Sequence, residues 1–104
     1  MFSHLIQLLL PVADNQGRAF PDDVLESVKT TLVAKFGGVT AFGRAPAHGV
    51  WAGPNRTQHD DVVIVEVMAG ALDETWWSDF RKGLESKLGQ QEIVVRAFLM
   101  RTLE

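Results

Sequence analysis

The chain has 104 residues, 46% of them hydrophobic and 22% charged, with a formal net charge of −3 at pH 7. That length fits one domain spanning 1–104, and the acidic balance with scattered basic residues argues against a nucleic-acid module, which carries a basic patch. No cysteine is present, which excludes disulfides, thiolate chemistry and cysteine-bound zinc. The apolar run within residues 1–10 is too short to span a bilayer and lacks the flanks of a signal peptide, so a cytoplasmic protein without membrane contact is expected.

Leu5 to Leu10, closed by Pro11, reads as a first strand. The stretch Ala13-Asp14-Asn15-Gln16-Gly17-Arg18 is rich in turn formers. Phe20-Pro21-Asp22-Asp23 opens a helix, with Pro21 suited to the first helical position and the aspartates complementing the macrodipole. Val24, Leu25, Val28, Leu32 and Phe36 recur at three- and four-residue spacing and mark its buried face. Gly37 then supplies a left-handed cap.

Val39 to Arg44 predicts a second strand, broken or bulged around Pro46 and continued by Gly49 to Ala52. The polar loop Gly53 to Gln58 closes a hairpin onto the third strand, Asp60 to Ala69. That third strand is dominated by β-branched residues, as expected of a central strand covered on both faces. One carboxylate, Glu66, interrupts it. Asp73 is placed to cap a second helix whose stripe is Trp77, Phe80, Leu84 and Leu88, and Gly89 ends it. Trp76, one step off that stripe, is expected at a rim or a partner surface. Glu92 to Met100 predicts the last strand.

The order strand, helix, strand, strand, helix, strand packs most economically as an α+β domain. The expected sheet has four antiparallel strands in the order 4-1-3-2, with both helices on one face. This βαββαβ pattern resembles the ferredoxin-like fold and, within it, the dimeric α/β-barrel superfamily. The stretch Gly37-Gly38-Val39-Thr40-Ala41-Phe42 and the run through Trp51 are also similar to small bacterial proteins of unknown function. The superfamily resemblance implies a homodimer in which two sheets face each other, often around a small-molecule pocket. Cofactor-independent oxygenase or isomerase chemistry is its extension; no cofactor is expected.

Side chains alternate along a strand, so each strand divides into two sets. The apolar sets Ile6, Leu8 and Leu10; Val63, Val65 and Val67; and Ile93, Val95, Ala97 and Leu99 are assigned to the helix side. Gln7, Glu66, Arg96 and Arg44 then fall on the open face, among apolar residues that include Leu5, Leu9, Ile64, Met68 and Phe98. An apolar face of that extent suits an association surface or a ligand cleft. A carboxylate there needs a partner or a raised pKa.

Two readings follow. In one, Glu66 and Arg96 are catalytic, Glu66 accepting a proton and Arg96 holding an anionic group, while Gln7, Phe42, Arg44 and Trp51 bind the ligand. In the other, the same cluster is a structural network that fixes dimer geometry in a non-catalytic assembly or regulatory module. His48 and His59 near the hairpin loop have no ligand-motif spacing, and His4 reads as a strand-end residue, so no metal site is expected.

Overall fold

The computed structural model describes residues 2–42, 47–52 and 57–103, and over 47–61 it describes the backbone alone. Seven elements follow in order: β1 (His4–Pro11), α1 (Asp22–Phe36), β2 (Thr40–Ala41), β3 (Ala47–Ala52), β4 (Thr57–Ala69), α2 (Glu74–Leu88) and β5 (Val95–Leu99). The predicted second strand is thus two pieces, β2 and β3. Both pair antiparallel with β4, and the sheet runs β2-β4-β1-β5. Val62 has Pro11 on one side and Ala47 on the other, so β3 continues the edge that β2 begins. With β2 and β3 taken as one interrupted strand, this is the expected four-strand order with two helices, the ferredoxin-like βαββαβ pattern. Pro46, where the break was expected, lies outside the described residues, as does most of the predicted loop after Ala52.

The alternation of apolar side chains decides which face the helices cover. Ile6, Leu8, Leu10, Val63, Val65 and Val67 are all buried and pack with Val28 and Leu32 of α1 and Trp77, Leu84 and Leu88 of α2. Burying such a side chain contributes on the order of 2 kcal/mol, which makes this layer the main source of stability. Both helices end on a glycine with positive φ, Gly37 at 86° and Gly89 at 65°, a conformation a Cβ disfavours. Asp73 caps α2 as expected, its carboxylate accepting from Trp76 N at 3.1 Å.

Two expectations are corrected. Pro21 is the N-cap of α1 and not its first helical residue: it stays extended, and its carbonyl accepts from Val24 N. The last strand begins at Val95 and not Glu92. Ile93 N donates to the carboxylate of Glu85 at 2.7 Å, so a helix side chain takes the amide that a strand partner would have used. Glu85 is held in place by Arg81 Nη1 at 3.0 Å. Trp76 is half-buried and packs edge-on against Phe36, stacks on Phe80 and lies beneath Lys35 Nζ at 4.9 Å, so of the two expected places it takes the rim of the core.

Candidate functional site

The register places four polar residues in a single row across the open face. Thr40 of β2 lies opposite Glu66 of β4, Glu66 opposite Gln7 of β1, and Gln7 opposite Arg96 of β5. The rows on either side are apolar. On one flank Phe42 N donates to Ile64 O, Ile64 faces Leu9, and Leu9 N donates to Val94 O. On the other, Met68 faces Leu5 and Leu5 faces Phe98. Same-face rows on a sheet are about 6.6 Å apart, so the polar row is a narrow band between two greasy ones.

Three members of the row are joined by their side chains. Arg96 Nε donates to Gln7 Oε1 at 2.7 Å, and Gln7 Nε2 donates to Glu66 Oε2 at 2.6 Å. The amide is oriented by both charges: turned over, it would set its NH2 against a guanidinium and its oxygen against a carboxylate. Gln7 is therefore the bridge between a cation and an anion whose strands are two spacings, about 10 Å, apart. Among the described residues the terminal nitrogens of Arg96 have no hydrogen-bond partner, which leaves an open fork suited to an anionic group. The guanidinium also lies 5.7 Å from the centre of the Phe98 ring, a cation–π contact.

The row is less enclosed than the sequence implies. No polar or charged side chain is buried among the described residues. Glu66 and Gln7 are half-buried, Arg96 is exposed, and Met68 and Phe98 are each 46% exposed. The cause is geometric: both helices lie on the other face, so no described element covers the row. The partner that the carboxylate was expected to need is the Gln7 amide, and the cluster is an open relay.

Of the predicted ligand-binding residues, Gln7 is in the row and Phe42 stands beside it, 47% exposed in the flanking apolar row. Arg44 lies outside the described residues. Trp51 pairs with Gln58, eight residues along β4 from Glu66, about 26 Å at 3.3 Å per residue. Sequence reasoning left Thr40 out of the site. Its face was legible from alternation, but its place opposite Glu66 depends on a register that a two-residue strand hardly announces.

Grooves open elsewhere among the described residues, and Gln7 and Glu66 line neither of the two next described. One, of about 260 Å3, runs between α2 and β5 beside Leu72, Trp77, Arg81 and Val95 and reaches Arg96 from the helix side. The other, of about 300 Å3, separates α1 from α2. Trp77 Nε1 is buried without a partner among the described residues.

Neither a protein family nor a curated protein matches the chain. Among solved structures the chain is similar to a phage SAM lyase in complex with S-methyl-5′-thioadenosine, with a TM-score of 0.66 and 9% identity. The alignment covers 93% of this chain and 81% of the lyase. At that identity the likeness speaks for the fold alone. No helix among the described residues is long and apolar enough to cross a membrane.

Proposed function

We propose that the chain binds a small organic molecule on the open sheet face, in a cleft that a second copy of the chain completes, in the cytoplasm. The observation that carries this reading is the Arg96–Gln7–Glu66 relay set between two apolar rows. A row of opposite charges on a sheet needs no bridging amide to be stable in water, whereas a site for a mixed polar and apolar ligand needs a positioned cation, a positioned carboxylate and flat apolar flanks. Arg96 would hold an anionic or strongly polar group and Glu66 would accept a hydrogen bond or a proton. The dimeric α/β-barrel resemblance supports the cleft between two sheets.

The lyase of similar fold holds a nucleoside thioether, which makes S-methyl-5′-thioadenosine the first probe. Titration calorimetry should show saturable binding that Gln7→Met weakens at least about tenfold, or about 1.4 kcal/mol. Absence of binding to the wild-type chain, or equal affinity in Gln7→Met, contradicts this ligand class at this row.

A second reading has its own support in the exposure of Arg96 and Phe98: the face is a subunit contact and the relay fixes its geometry. In that case Gln7→Met weakens self-association and no ligand competes with it.

A further inference from the structure

The helix side of β5 is only half covered, and the cause lies in the strand itself. Val95 and Ala97 stand opposite Leu8 and Ile6 of β1 on that face. Leu8 and Ile6 are each 1% exposed, whereas Val95 is half-buried and Ala97 is exposed. A methyl group at position 97 is too short to fill the space below α2, so helix and edge strand stand apart. The result is the groove of about 260 Å3 between them. Ile6, Val95 and Ala97 supply its sheet side, and Leu72 and Trp77 supply an apolar wall.

The polar groups of the groove come from one flank of α2. Glu74, Ser78 and Arg81 recur at four- and three-residue spacing and border it together. Arg81 is held in position: its Nη1 donates to Glu85 Oε2 at 3.0 Å, the same oxygen that accepts from Ile93 N. The Arg81 side chain is 33% exposed, and its other guanidinium nitrogens have no partner among the described residues. A guanidinium carries five N–H donors in a rigid fork, so one engaged arm orients the others. Trp77 Nε1 is a further donor without a partner among the described residues, on a side chain that is nearly all buried. A buried N–H with no acceptor is destabilising. Glu74 is exposed in the first turn of α2 and puts the opposite charge at the far end of the flank, so an anion belongs at the Arg81 end. Arg96 also borders the groove, but its Nε is held by Gln7 on the open face.

We infer that this groove binds a small carboxylic acid with an unbranched apolar body. The carboxylate pairs with the free arm of Arg81 and with Ser78 Oγ, and the body lies over Ile6, Val95 and Ala97 against the Trp77 ring. The groove is smaller than the roughly 300–1,000 Å3 of drug-sized sites, so the fitting acid has about eight to ten non-hydrogen atoms. One copy of the chain completes the site, and neither Gln7 nor Glu66 takes part in it.

Hexanoate is the probe and hexan-1-ol its uncharged counterpart, both added at pH 7 to the full chain labelled with nitrogen-15. Hexanoate should move the Trp77 indole N–H resonance saturably, with a midpoint of about 1–10 mM. Hexan-1-ol should act at least about tenfold more weakly, since it offers Arg81 no charge. Ala97→Leu fills the groove from the sheet side and should abolish the hexanoate response. An unmoved Trp77 resonance, an equal response to acid and alcohol, or a wild-type response in folded Ala97→Leu overturns the inference. If Ala97→Leu does not fold, the wild-type comparison of acid with alcohol decides by itself. A chain that binds hexanoate in this way but not S-methyl-5′-thioadenosine upholds the groove and contradicts the open-face ligand. The reverse result overturns the groove alone.

Discussion

Leu8 and Leu9 are neighbours in the chain and lie on opposite faces of the same sheet. Leu8 is 1% exposed beneath the two helices, whereas Leu9 is half-buried on a face that no described element covers. The difference is not hydrophobicity, since both faces are mostly apolar, but the presence of a covering layer. On the helix side, apolar residues meet other apolar residues and the outcome is a core. On the open side they flank a polar row and stay partly exposed, Met68 and Phe98 at 46% each. The first face explains why the protein folds. The second is the face on which the proposed function places a ligand or a second copy.

The contrast breaks most visibly by truncation. Leu8→Ala should lower unfolding free energy in urea by about 2–5 kcal/mol, the range for a leucine removed from a packed interior. Leu9→Ala should cost the single chain less than about 1.5 kcal/mol and instead weaken self-association, read as a mass that falls at lower dilution than for wild type. Equal losses of unfolding free energy in the two variants, with association unchanged, would mean that the faces are not different in kind.

Asp73→Ala removes the cap of α2 on the covered side and should cost about 1 kcal/mol by the same urea titration, without altering ligand or subunit affinity. Glu66→Gln keeps the size of the side chain in the row and removes its charge. A change there below about 0.5 kcal/mol in unfolding, with a clear loss of affinity for S-methyl-5′-thioadenosine, separates recognition from support.

The smallest effect lies in the turn before α1. Asp14 is held below its ordinary 3.8, chiefly by the backbone hydrogen bond from Arg18, with the Gln16 amide and the Arg18 charge adding to it. Because the folded value is depressed, its contribution is present above the unfolded value and fades as pH falls through the folded one. The gap in melting temperature between wild type and Asp14→Asn should therefore be present at about pH 6 and shrink as the pH falls below 3.8. A gap that widens in acid would contradict the assignment.

Much of this was legible in the chain. Period-two alternation in residues 5–10 and 62–68 separated core from open face. Gly37, Asp73 and Gly89 marked helix ends by their conformational and capping preferences. The same alternation placed Gln7, Glu66 and Arg96 on one side. What escaped had long-range causes. The amide of Ile93 goes to Glu85, eight residues earlier on a helix, and local pattern holds no record of that bond. Thr40 joins the row only through its register with Glu66. The relay from Arg96 through Gln7 to Glu66 depends on the register of three strands, which alternation alone does not fix.

The most direct test of the central claim is a crystal structure of the complete assembly, with every copy present. The ligand reading predicts a cavity of a few hundred Å3 bordered by Gln7, Glu66 and Arg96, with Phe42 and Phe98 on its walls. An interface in which a second copy's side chains pack directly onto that row, leaving no cavity, would contradict it.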